Sequence, residues 1–240
     1  MKVQVNQNIF KIAPSFRRGV LIVKKTNNHE TNGKLNSLLK QTQQTFLEKF
    51  NCVDKLMENE NIKDWDRVFR TLGVNPNSNP PSMKNLLKRI LKGKAIKSIN
   101  PIVDIFNILS IKYITPLGGD DIGNFVANSV FELGFAKGTE NYTPLGKPDK
   151  NENPKPNEVV YYNVKSNEVL CRNWCVRNSD VTKITTQTKN VVINIDRLES
   201  ITVETHLKII NELKNLVLEN CGGKVSSYIL SQSNSSSPAF

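Results

Sequence analysis

The sequence predicts an α+β domain in which helices flank a mostly antiparallel sheet. Three observations support this. Apolar residues recur at helical spacing in several separate stretches, short apolar runs follow one another as strands between residues 129 and 195, and no internal repeat is present. At 240 residues the chain is long enough to bury one sizeable core.

Taken in order, two short strands are expected at Ile9–Ile12 and Gly19–Lys24, joined by a turn at Pro14-Ser15. A polar linker, Thr26 to Lys34, leads into one long helix over Leu35–Met57, where Leu35, Leu38, Leu39, Phe46, Phe50, Val53 and Met57 keep helical spacing. A second helix covers Lys63–Leu72 and stops at Gly73, and the proline-rich run Asn75–Pro81 is a loop. Ser82 then reads as the N-cap of a clear amphipathic helix whose stripe is Met83, Leu86, Leu87, Ile90 and Leu91. Its other face carries Lys84, Lys88 and Lys92, with Arg89 on the flank, and residues 82–103 hold six cations and no acid. Such a face is either a solvated surface or one that meets phosphates.

Asn100-Pro101 gives a cap followed by proline at the first helical position. The helix from Pro101 to about Ile114 is apolar nearly all round, hence buried, and Asp104, Asn107 and Ser110 line one edge of it. Buried polar groups need partners, so this edge either braces backbone or looks into a pocket. A Gly-Gly-Asp-Asp turn is expected over Pro116–Asp121, with Gly118 and Gly119 allowing close backbone approach and Asp120 and Asp121 supplying carboxylates. Strands follow at Ser129–Ala136, Glu158–Tyr162, Glu168–Arg172 and Asn190–Ile195, the long loop Gly138–Asn157 lying between the first two. An amphipathic helix over Thr205–Glu219 stops at Gly222-Gly223. The chain thus divides into N-terminal strands and long helix (1–60), a central unit (61–200), a final helix (201–224) and a Ser/Asn-rich tail (225–240) expected to be disordered.

Composition narrows the chemistry. Thirty-three Lys+Arg against 22 Asp+Glu give a net charge of +11 and an isoelectric point near 9.5, a balance that suits a polyanionic partner. Mean hydropathy is −0.39, and no apolar run reaches the ~20 residues needed to cross a bilayer. The N-terminus carries no apolar signal core, and four scattered cysteines do not make a disulfide framework, so a cytoplasmic location is expected. The two histidines, His29 and His206, have no nucleophile setting beside them, and Cys171 and Cys175 lack the second pair a tetrahedral metal site needs. Neither a phosphate-binding glycine loop nor a dinucleotide fingerprint is present, so no metal and no cofactor is expected. One cluster remains: residues 171–182 interleave Arg172 and Arg177 with Trp174. It reads either as forked phosphate donors beside a stacking face, or as an arginine brace with Asp180 or Asp104 beside a buried indole.

An ordered run of motifs then carries a resemblance. Arg89-Ile-Leu-Lys-Gly93, Asn100-Pro-Ile-Val-Asp-Ile-Phe-Asn107, Pro116-Leu-Gly-Gly-Asp-Asp121, Glu140, Gly146, Glu158-Val-Val-Tyr161, Cys171-Arg-Asn-Trp-Cys-Val-Arg177 and Thr182 together resemble the B3/B4 domain. That domain is found in the β subunit of bacterial phenylalanyl-tRNA synthetase and as free-standing proteins, and the resemblance spans roughly Asp64 to Asp196. It implies an α+β fold, tRNA as partner, and hydrolysis in trans of the ester of mischarged tRNA. Asp104, Asn107, Gly118, Gly119, Asp120, Asp121, Glu140 and Asn194 would then form the aminoacyl pocket, with Asp120 or Asp121 on the substrate's α-ammonium. Lys84, Lys88, Arg89, Lys92, Arg172, Trp174 and Arg177 would hold the acceptor end of the tRNA. Two positions depart from the synthetase pattern: Gly118 stands where that pattern has a histidine, and Asn194 where it has a glutamate. The alternatives are an RNA-binding module without hydrolysis and a small-molecule pocket protein.

Overall fold

The computed structural model describes residues 1–29 and 32–240. Two sheets and seven helices make up the fold among the described residues. The first sheet contains β1 (Lys2–Val5), β4 (Val130–Phe135), β5 (Val159–Asn163), β6 (Glu168–Arg172) and β7 (Arg177–Asn178) in the order β1-β4-β5-β6-β7. Only its β1–β4 pair is parallel. The second contains β2 (Arg17–Lys24), β3 (Leu117–Asp121), β8 (Asn190–Arg197) and β9 (Lys224–Leu230), antiparallel throughout in the order β3-β8-β2-β9. The expected mostly antiparallel α+β architecture is therefore present.

Helices cover the sheets where their apolar stripes dictate. They are α1 (Gln7–Ile12), α2 (Gly33–Lys49), α3 (Val53–Met57), α4 (Glu60–Thr71), α5 (Ser82–Leu91), α6 (Pro101–Tyr113) and α7 (Val203–Cys221). The Asn100 side chain caps α6 by accepting from Val103 N, with Pro101 in the first turn, as expected. That helix is buried almost entirely, packed against α2, α7 and β3. Gly19 on β2 lets α7 come close: a Cβ there would sit 2.9 Å from Ile210 Cδ1 and 3.1 Å from His206 Nε2.

Several expectations are corrected. Ile9–Ile12 belongs to a helix, α1, because the Asn6 side chain accepts from Asn8 N and starts a helical turn; the strand lies earlier, at β1. The helix expected over Leu35–Met57 breaks at Phe50 and Cys52, both extended, where Asn51 and Cys52 favour helix poorly. Pro81, not Ser82, is the cap residue of α5, and it offers no side-chain acceptor. Pro116–Asp121 is not a turn: Gly118 pairs with Asn194 and Gly119 with Ile193. The glycines serve close packing, since a Cβ on Gly119 would meet Ile184 Cδ1 at 3.0 Å and Val192 O at 3.2 Å.

The tail is ordered. Strand β9 pairs with β2 from Lys224 to Leu230. Beyond it Ser235 O accepts from Val5 N at 2.8 Å, and Ser237 N donates to Val3 O at 2.8 Å. Main-chain bonds of this kind need no apolar sequence, so composition is blind to them. Gly223 (φ +94°) is required at the entry to β9, where a Cβ would lie 2.7 Å from Lys24 O.

Candidate functional site

Side chains alternate across a strand, so residues two apart share a face. On β8 that places Asn194 with Asp196; on β3 it places Gly118 with Asp120. The register sets Gly118 opposite Asn194, and Arg18 of β2 opposite Asp196. Three neighbouring strands therefore present one polar patch in an otherwise apolar sheet. Together with Tyr161 on β5 of the other sheet, this patch lines a cavity of about 200 Å³. Leu86 and Arg89 of α5, Phe106 and Asn107 of α6, and Trp174 of the β6–β7 turn complete its wall. A wider recess of about 600 Å³ adjoins it, sharing Arg89, Asn107, Gly119 and Asp120 and adding Lys97 and Lys183.

The electrostatics are arranged tightly. Arg18 Nε and Nη2 each donate 2.7 Å bonds to Asp196, whose Oδ2 also accepts from Trp174 Nε1 at 2.9 Å. Burial alone would lower the Arg18 pKa, and Asp196 more than offsets this. The Arg18 guanidinium also stacks over the Tyr161 ring, 4.9 Å from its centroid. Asp120 accepts from Thr182 Oγ1 at 2.7 Å. Burial pushes its carboxyl up to about 7, against the pull of Thr182 and Arg18. Three atoms of the lining remain without a hydrogen-bond partner although buried: Arg18 Nη1, Tyr161 Oη and Asn194 Oδ1. The Asn194 amide approaches the Tyr161 phenol without closing a hydrogen bond of normal geometry.

Of the expected pocket residues, the structure brings Asn107, Gly118, Gly119, Asp120 and Asn194 to this cavity. Asp104 is not among its lining residues; it accepts from Ser98 Oγ at 2.6 Å and Ile99 N at 2.8 Å, bracing the segment before α6. Asp121 accepts from Gly123 N and Thr188 Oγ1, and Glu140 from the Lys137 and Gly138 amides. Both are loop braces away from the cavity lining.

The expected cationic face is corrected in part. Lys84 is fully buried, its ammonium 2.7 and 2.8 Å from the two Asp66 oxygens. Lys88 is partly buried and sits below its ordinary pKa, from desolvation and the Lys84 charge. Arg89 and Lys92 are exposed, and Arg89 borders both the cavity and the recess. Arg172 is bound by both arms to Glu158 at 2.7 and 2.8 Å, and Arg177 to Glu152 at 2.7 Å. Burial works to raise Glu158, but Arg172 and two backbone amides outweigh it and hold it low. These are arginine braces, with glutamates rather than Asp180 or Asp104 as partners. Trp174 is no exposed stacking face: Phe16 and Trp65 meet its ring edge-on at 5.0 and 5.4 Å.

Arg18, Tyr161 and Asp196 were not expected at the site. A period-two polar pair, Asn194 and Asp196, inside the apolar β8 run was the available signal for Asp196. Arg18 and Tyr161 come from separate strands whose register no local pattern reveals.

Among the described residues, no group of three or more His, Cys, Asp or Glu side chains could hold a metal ion, and no helix is long and apolar enough to cross a membrane. No curated protein sequence matches the chain. A solved N-terminal fragment of the phenylalanyl-tRNA synthetase β subunit from Pyrococcus horikoshii is 15% identical, with a TM-score of 0.45. The match covers 93% of this chain and 49% of that one, so this chain spans about half of that fragment. Residues 64–216 match the family model described as the B3/4 domain, well over half of the sequence, and the chain belongs to that family.

Proposed function

We propose that this protein binds tRNA and hydrolyses, in trans, the ester of tRNA carrying a wrong amino acid. The observation that carries this reading is the polar cavity bordered by Arg89, with Asp120 in its wall, beside a recess lined by Lys97 and Lys183. Membership of the B3/4 family and the net charge of +11 support tRNA as the partner. In this reading the aminoacyl group enters the cavity and its α-ammonium meets the Asp120 carboxylate. Arg89, Lys92 and Lys97 take the phosphates of the acceptor end, and Asn107 lies at the junction between the two spaces.

An aminoacyl ester is labile, so placing a water by hydrogen bonds suffices for turnover. The water oxygen attacks the ester carbonyl, the bond to the ribose oxygen breaks, and the proton passes to that oxygen. Free amino acid and uncharged tRNA result. A second reading, tRNA binding without hydrolysis, is favoured by the chemistry at Gly118 and Asn194, neither of which has an ionisable side chain.

The deciding experiment incubates the full chain with a panel of mischarged tRNAs and follows ester loss above the spontaneous rate. Loss that falls at least tenfold in Asp120→Asn supports the deacylase. Salt-dependent tRNA binding with no ester loss across the panel leaves the binding module. Absence of both overturns the tRNA reading.

A further inference from the structure

We infer that a phosphate-class oxyanion binds between Arg17 and Arg197, beside the start of α7, on the face of the second sheet opposite the cavity. The inference is independent of the aminoacyl reading. Side chains alternate along a strand, so Arg17 and Arg197 point away from the face that carries Arg18 and Asp196. Theirs is the face on which Gly19 meets His206 and Ile210 of α7. The register sets the two arginines directly opposite each other, where like charges repel.

The chain supplies them with carbonyls but no counterion. Arg17 Nη1 donates to Phe16 O at 2.7 Å and to Pro14 O at 3.2 Å. Arg197 Nη1 donates to Leu198 O at 3.4 Å and to Ile201 O. Among the described residues neither guanidinium pairs with a carboxylate, and Glu199 and Glu204, exposed before and within the first turn of α7, form no ion pair. Arg197 is nonetheless only 7% exposed, and its Nε is buried without a partner. A buried cation is costly unless something of opposite sign meets it.

Helix α7 deepens the imbalance. Its 19 residues bring their positive end to this place, two residues after the Ile201 carbonyl that Arg197 holds. His206, the fourth residue of α7, is buried with Nδ1 unpartnered, while Nε2 lies 3.1 Å from Ile195 O. Burial, Arg197 and Arg17 hold this ring low, near 4, against the pull of the Ile195 carbonyl and Asp196. An oxyanion suits the whole cluster: guanidinium forks match its oxygens, and a helix start favours its charge. Arg17 is half-buried, which leaves the cluster one side open to solvent.

The test titrates the full chain with inorganic phosphate, by calorimetry and thermal melts. Sodium chloride at equal ionic strength is the control, because a chain of net charge +11 responds to any added salt. Phosphate should raise the melting temperature beyond chloride. Arg17→Ala should weaken phosphate binding by about tenfold or more, the usual loss for a charged hydrogen-bonding partner. It should also melt at or above the parent temperature without phosphate, since it removes a like-charge pair. Lys40→Ala, at an exposed position of α2, should leave the affinity unchanged. By NMR, His206 should take up its proton at higher pH with phosphate than without. Arg197→Gln should match Arg17→Ala; if its loop bonds prove essential to folding, Arg17→Ala and the His206 titration still decide.

Displacement of phosphate by tRNA, with both weakened in Arg17→Ala, assigns the site to an RNA backbone phosphate. Phosphate binding indifferent to tRNA assigns it to a free anion. No binding beyond chloride, or an equal loss in Lys40→Ala, overturns the inference. So does an Arg17→Ala variant that loses stability without phosphate yet keeps its affinity, the mark of a purely structural brace.

Discussion

Arg18 and Asp196 face each other across adjacent strands in a buried ion pair, 2.7 Å on each of two arms, with Trp174 as a third donor to the same carboxylate. Removing one partner strands the other charge in the interior. Asp196→Ala should therefore destabilise by about 3–5 kcal/mol, read as a lowered urea midpoint. The double variant Arg18→Met/Asp196→Leu should recover most of that loss, since it leaves neither charge unpaired. A double variant as unstable as the single one would show that packing, not charge, dominates here.

Asp120 sets a stability slope near neutral pH. Its folded pKa, about 7, is raised above the ordinary 3.8, so the unfolded chain binds fewer protons between those values. The stability this group contributes is complete below about 4 and is lost as pH rises through 7. Asp120→Asn should flatten the decline over that window and be the more stable form at pH 8. His206 has the opposite sign: burial lowers it to about 4, so its contribution is lost as pH falls from 6.5 to 4. Thermal melts of parent and Asp120→Asn from pH 4 to 8 check both slopes.

Two kinds of cationic side chain sit on or after α5, and they should separate cleanly. Lys84 is an internal counterion for Asp66, so Lys84→Ala should cost about 3–5 kcal/mol of folding stability. Arg89 and Lys97 are exposed at the recess. Arg89→Ala/Lys97→Ala should leave stability within about 0.5 kcal/mol. That pair should instead weaken tRNA binding and reduce the slope of log K against log salt by about two.

Deleting residues 224–240 should expose a full edge of β2 and unpair β1 from residues 235–237. An uncovered apolar edge strand recruits other chains. The truncated protein should aggregate on sizing chromatography, whereas a disordered tail would be lost without effect.

Legibility followed the physics of each signal. The stripe of α5, the cap and proline of α6 and the apolar run of β8 are local patterns, and each appeared where its pattern placed it. The motifs of the B3/B4 resemblance, spanning Asp64 to Asp196, lie inside the matched family region. Lys84 was misplaced because helical spacing says which face a residue takes, not whether a neighbour such as Asp66 covers that face. Asn107, Gly118, Gly119, Asp120 and Asn194, picked out in the sequence, line one cavity, while Arg18 and Tyr161 in the same lining were not picked out. Their place depends on strand register and on how two sheets meet.

The position of β2 carries a consequence for how the chain acquires its shape. This strand, complete by Lys24, lies between β8 and β9, both of which come from segments far along the chain from it. During synthesis this apolar strand has no partner in its sheet until the distant β8 segment has emerged. Such late, distant pairing slows folding and leaves the strand open to chaperones or to other chains in the interval. Folding of the cavity wall that β2 and β8 share thus waits on a contact between distant segments, and refolding should be slow relative to helical proteins of similar size.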